Sequence, residues 1–216
     1  MPSYIELDKQ GSFAPSSDAS KVILGINNDN LLQLTNSSGQ SMSVAGLPYQ
    51  VYTALLTQNG VSDEQYINIG ELTIGVTYYI NQISTGMDFT NVGAPNNNYR
   101  TYFVATGTTP NSWGDGAQYT LRYDNGAPVV KVLENTIGNI WFTYDSEGGY
   151  LVNCSGLFIP EKTIYFVTNI NSADFTFVFA TGSGFPNYLN LLITDITFNP
   201  RNSLLDNAPI EIRVYN

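Results

Sequence analysis

Glu134, Asp145 and Glu147 crowd the aromatic stretch Ile140-Trp-Phe-Thr-Tyr144. Two carboxylates flanking a glycosidic bond are what glycoside hydrolysis requires, so these residues are the chain's best claim to catalysis. Against that stands the ordinary reading of acidic residues as loop formers, with Glu134 in a turn and Asp145-Ser-Glu-Gly-Gly149 as a hairpin loop. We expect the second, and therefore no catalytic residue and no enzyme. The chain has no histidine, which removes Ser-His-Asp and Cys-His constellations together with every His-ligated metal. Cys154 is the only cysteine. With no neighbouring base to stabilise a thiolate it reads as a buried structural thiol, and no intramolecular disulfide can form.

Asp115, Asp124 and Asn125 offer the hard oxygen ligands that calcium accepts. No EF-hand or Asp-x-Asp spacing surrounds them, so neither a metal nor a cofactor is expected. Aromatic residues make up 13% of the chain, and 15 of them are tyrosines. Tyrosine and tryptophan join a flat apolar face to a hydrogen-bonding edge, which suits contact with sugars or proteins. Tyr99, Tyr102 and Trp113 fall near loops and are the candidate ligand contacts. Half-buried strands or an oligomer interface would use the same residue types.

The elements that would position these residues read as strands. Phe175, Phe177 and Phe179 alternate with Thr176 and Val178; Tyr119, Leu121 and Tyr123 with Thr120 and Arg122; Ile210, Ile212 and Val214 with Glu211 and Arg213. Period two places each apolar set on one face of a strand, and Gly, Asn, Asp and Pro punctuate the runs. Helical periodicity is absent apart from Ser62-Asp-Glu-Gln-Tyr66, which predicts a turn or two of helix at most. Residues 1–46 read as a separate unit. Val22–Ile26 and Leu31–Thr35 flank Asn27-Asn-Asp-Asn30 as a hairpin, and Asn36-Ser-Ser-Gly39 leads to a third strand. Such a meander buries too little apolar surface to stand alone, so a covering partner is expected.

Composition narrows the function. Hydrophobic residues are 43% and charged residues 12% of 216, which describes a packed protein with an uncharged polar surface. The polarity comes from 24 asparagines and 20 threonines, residues suited to turns and strand faces. A net charge of −10 repels phosphate backbones and anionic lipid, and the eight Lys and Arg residues are scattered singly. Neither nucleic acid nor membrane is an expected partner. The N-terminus Met1-Pro-Ser-Tyr-Ile-Glu-Leu-Asp lacks a basic n-region and an apolar h-region, so we expect synthesis and assembly in a cytoplasm.

Two stretches, Tyr52-Thr-Ala-Leu-Leu-Thr-Gln-Asn-Gly60 and Ala127-Pro-Val-Val-Lys-Val-Leu-Glu-Asn-Thr-Ile-Gly138 with the following Ile140–Tyr144, resemble a module in structural proteins of tailed phages infecting Bacteroidota, crAss-like phages included. In that family the two pieces are near neighbours; here 66 residues separate them. Between them, Ile74-Gly-Val-Thr-Tyr-Tyr-Ile80, Asp88-Phe-Thr-Asn-Val-Gly-Ala94, Phe103-Val-Ala-Thr-Gly-Thr-Thr-Pro110 and Trp113-Gly-Asp-Gly116 resemble a second, widely scattered phage module. The start Tyr4-Ile-Glu-Leu-Asp-Lys9 resembles the opening of phage fibre and appendage proteins, and residues from about 157 onward match nothing beyond strands and turns.

The resulting expectation is an all-β protein: a small N-terminal β-meander (1–46), then a β-sandwich-like domain (47–60 and 121–216) carrying an inserted β-module (61–120). The resemblance implies a virion structural protein, with head fibre, tail appendage and capsid decoration all open. It implies other virion proteins as partners and a homo-oligomer, a trimer favoured, because closed cyclic assemblies leave few exposed strand edges. The alternatives are a receptor-binding module contacting host surface glycans and a virion carbohydrate-active enzyme.

Overall fold

The structure is a computed structural model that describes residues 23–26, 32–35, 38, 41–43, 49–58, 60–115, 118–167, 177–184, 186–195 and 197–215. The chain divides into two compact units, Met1–Tyr49 and Gln50–Asn216. In the first, β1 (Ile23–Ile26), β2 (Leu32–Thr35) and β3 (Ser41–Ser43) form an antiparallel meander in that order. Ile26 pairs with Leu32 across the hairpin, and Gln33 pairs with Ser43 on the other side. Residues 4–9, 13–19, 27–30 and 175–176, which entered the sequence reading, lie outside the described residues.

All but the first residue of β4 (Tyr49–Thr57) belongs to the second unit. There follow β5 (Glu64–Ile67), β6 (Thr77–Ile80), β7 (Met87–Asp88), a 3-10 turn at Thr90–Val92, β8 (Tyr102–Val104), β9 (Ser112–Trp113) and β10 (Leu121–Asp124). The chain then continues through β11 (Val129–Asn135), β12 (Ile140–Ser146), β13 (Gly149–Cys154), β14 (Thr163–Val167), β15 (Phe177–Gly184), β16 (Tyr188–Thr194) and β17 (Ala208–Tyr215). The protein is all-β. Among the described residues no helix is long and apolar enough to cross a membrane.

Two four-stranded sheets, ordered β11-β4-β17-β14 and β12-β13-β16-β15, form a sandwich. Buried positions alternate along β17 and over most of β4, β13 and β16, as a half-buried strand requires. Tyr52, Ala54 and Leu56 of β4 and Ile210, Ile212 and Val214 of β17 share one core with Phe142, Tyr150, Val152 and Leu191 of the facing sheet. Each Val, Leu, Ile or Phe side chain among them, removed from water, stabilises the fold by about 1.5–3 kcal/mol, before chain entropy is counted. β4 and β11 are direct neighbours, Thr57 pairing with Val129 and Leu56 with Val130, although the whole of β5 to β10 lies between them in sequence.

That intervening segment has its own sheet, β5-β10-β6-β8, and the ribbon β7-β9. Tyr78, Ile80, Phe89, Phe103 and Leu121 form a second core. Ser62–Tyr66 is therefore not helical: Glu64–Ile67 pairs antiparallel with Leu121–Asp124, a long-range partner that outweighs the local preference. The stretch from Asp88 to Ala94 builds a turn. The Asp88 carboxylate accepts from the Thr90 amide and hydroxyl and from Asn97 and Asn111, and Gly93 takes φ +110 where a Cβ would meet the Val104 carbonyl oxygen. Only glycine suits that position.

Candidate ligand-binding site

A pocket of about 290 Å3 lies where the outer face of β6, β8 and β10 meets β12. From β12 the successive residues Phe142, Thr143 and Tyr144 line it, while the half-buried Trp141 stands beside it, packed against the sandwich core. On β6, Tyr78 enters the second core and Tyr79 turns away from it. Register then assembles the cluster: Arg122 pairs with Tyr79 on one side and Tyr66 on the other, and Tyr79 pairs with Tyr102.

The side chains interlock. The Arg122 guanidinium lies 4.6 Å from the Tyr79 ring centroid and 2.7 Å from the Glu64 carboxylate. Tyr79 and Tyr102 have centroids 4.5 Å apart, and Tyr102 lies parallel to Trp141 at 5.4 Å with 7° between planes. Glu64 also accepts from the Tyr66 hydroxyl, which raises the Tyr66 pKa. Burial opposes the charge on Arg122, but Glu64 and Tyr102 outweigh it and its pKa is raised. Burial, then the neighbouring Tyr99, raises that of Tyr79. Arg122 is therefore a cation already paired with the Glu64 carboxylate.

Tyr99 stands on the rim, 51% exposed, with its ring 6.4 Å from Tyr79. The following Arg100 adopts φ +68, a strained conformation for a non-glycine residue, and its guanidinium lies 5.2 Å from the Tyr99 ring, lowering that tyrosine's pKa. The loop is held by Asn96, whose Oδ1 accepts from the Asn98 amide and Thr101 hydroxyl, and by the Arg100 amide bound to the Ile80 carbonyl.

Of the three ligand contacts expected from sequence, Tyr99 and Tyr102 therefore come together. Trp113 does not join them. Its indole packs edge-on to Phe89 at 5.3 Å and donates Nε1–H to the Gly70 carbonyl, at the core of the intervening segment. Tyr79, Arg122, Trp141 and Thr143 were missed. Trp141 and Thr143 were visible only as members of the aromatic stretch Ile140–Tyr144; Tyr79 and Arg122 required the register of distant strands.

The carboxylates divide between sheets. Glu134 is on strand β11, not in a turn, while Asp145 is within β12, just before its last residue Ser146, and Glu147 opens the tight Glu147-Gly148 turn, where Gly148 has φ +67. Asp124 accepts from the Ser62 hydroxyl and the Asp63 and Gly126 amides; Asp115 accepts from Ser84 and the Thr85 amide in a different turn. Asn125 donates to Asp63. Cys154 is buried, its thiol donating to the Pro186 carbonyl, and burial raises its pKa.

No protein-family model, curated protein or solved structure matches the chain.

Proposed function

We propose that this chain is a structural component of a bacteriophage particle, a head fibre, tail appendage or capsid decoration protein, and not an enzyme. One observation carries the reading: the residues through which the sequence resembles phage modules are the residues that build the fold. Asp88 and Gly93 form a turn, Gly75 accepts from Val130 and donates to Ala105, and Leu55, Leu56, Val130 and Val132 pair β4 with β11. Residues 61–120 are an insertion into the domain formed by 47–60 and 121–216, and β10 extends the inserted sheet to Asp124. The N-terminal meander docks on the particle, and the protein works as a homo-oligomer, three copies favoured, alongside other virion proteins. Light scattering on the isolated chain tests the oligomer: a mass near the 23.7 kDa of one copy refutes autonomous assembly.

The exposed aromatic cluster around Tyr99 and Tyr102 favours a second reading, contact with host surface glycans through the inserted module. Particle adsorption to host cells after exchange of Tyr99 for alanine tests it: unchanged adsorption rejects the contact.

A further inference from the structure

The pocket beside Tyr79, Tyr102 and Thr143 has a charge balance that selects its ligand. Glu64 is bound to Arg122 and Tyr66, and Asp124 is bound to the turn it caps. The cation position over the Tyr79 ring is filled by Arg122 itself, so a quaternary ammonium or a lysine side chain would meet a like charge. An anionic ligand would meet two carboxylates, Glu64 and Asp124, against the single guanidinium of Arg122, which Glu64 already engages, in a chain of net charge −10. A neutral ligand remains. The walls are aromatic, from Tyr79, Tyr102 and Tyr144, interrupted by hydroxyls that can donate. Thr143 accepts from Asn153, and Tyr144 accepts from Asn202, which leaves each hydroxyl hydrogen to turn toward a ligand. The volume, about 290 Å3, is at the small end of ligand pockets, which run to roughly 300–1,000 Å3.

We propose that this pocket binds a neutral saccharide of one or two rings, an apolar ring face lying against the tyrosines and ring hydroxyls bonded to Thr143 and Tyr144. The strained Arg100 and its pinned loop hold Tyr99 at the rim, where a second sugar unit would rest. This deepens the glycan-contact reading by naming its site and ligand class. The test uses purified full-length chain and soluble sugars, so its outcome is separable from whether particles need the contact.

Saturation-transfer NMR and calorimetry would be run with glucose, galactose, mannose, fucose, N-acetylglucosamine and their disaccharides, with choline and sialic acid as charged comparators. Expected is binding of at least one neutral sugar with a dissociation constant of about 10 mM or tighter. Thr143→Val should weaken it about tenfold, the loss of one hydrogen bond to a ligand hydroxyl. Tyr79→Ala should abolish it, while Trp113→Phe, remote from the pocket, should leave it unchanged. Near-ultraviolet circular dichroism establishes that each variant is folded; should Tyr79→Ala fail that check, Thr143→Val decides alone. Absence of binding by every neutral sugar, retention of full affinity in folded Thr143→Val, or preference for choline or sialic acid would each overturn the proposal.

Discussion

Gln58 donates from Nε2 to the carbonyl of Gly126, 68 residues away, and to that of Gly60. Its Oε1 accepts from the Ser203 amide at 2.6 Å. One side chain, 1% exposed, thus joins the two places where the chain leaves and re-enters the sandwich to the loop before β17. Replacing it by alanine takes this partner from one amide, that of Ser203, and from two carbonyls, those of Gly60 and Gly126. Each buried group left unsatisfied costs about 1–3 kcal/mol. Gln58→Ala should lower stability by about 2–4 kcal/mol in urea unfolding, and a loss below 0.5 kcal/mol would show that water replaces the amide without penalty.

Gly75 and Gly70 form a matched pair for a second test. Both have positive φ, +86 and +104, but a Cβ at Gly75 would lie 2.5 Å from the Val130 carbonyl oxygen, whereas at Gly70 it meets nothing within 4 Å. Gly70→Ala should cost only the conformational term, about 1–2 kcal/mol. Gly75→Ala must also displace β11 and should cost clearly more. Equal melting temperatures for the two variants would contradict the contact between the inserted segment and the sandwich.

The Tyr52 hydroxyl is buried without a hydrogen-bond partner, and burial pushes its pKa up. Tyr52→Phe keeps the ring, 6.2 Å from that of Phe142, and removes the orphaned group. We expect stabilisation of about 1 kcal/mol. Destabilisation would reveal a partner for that hydroxyl, an internal water for instance.

Acid should weaken the fold through three turns. Hydrogen bonds from the Thr90 hydroxyl and Asn111 hold the Asp88 carboxyl below its usual range; the Thr197 hydroxyl does so for Asp195, although burial opposes it, and the Ser84 hydroxyl for Asp115. A depressed folded-state pKa contributes stability that is full above the ordinary carboxylate value of 3.8 and is lost as pH falls through the lower folded value. Melting temperature should therefore decline from about pH 4 downward. Asp88→Asn should melt lower than the parent at neutral pH and show a shallower acid decline. An unchanged acid slope would remove Asp88 from the explanation.

Legibility in the sequence followed the range of the interactions. Ile210, Ile212 and Val214 are buried at alternate positions with Glu211 and Arg213 between them, as period two requires, because facing is decided within the strand itself. Leu121 is fully buried, yet neighbouring Thr120 is buried too and Tyr119 is 48% exposed, since the strand begins only at Leu121. Glu64 is invisible as a strand residue until its ladder partner Asp124, on a strand that lies beyond four others in sequence, is known. The site shows the same limit. Tyr102 could be chosen for its type, but its parallel neighbour Trp141 belongs to another sheet, and Trp113, chosen on equal grounds, packs half-buried against a core. Residue chemistry identified candidates, and only long-range packing assigned them places.

The central claim is membership of a particle. Purified phage carrying an epitope-tagged copy of this chain, fractionated on a density gradient and imaged by cryo-electron microscopy, tests it most directly. The chain should band with intact particles and occupy density at a head, neck or tail position in a fixed, symmetry-related copy number. Its recovery solely in the soluble fraction of the lysate, with particles complete and infectious without it, would contradict the claim.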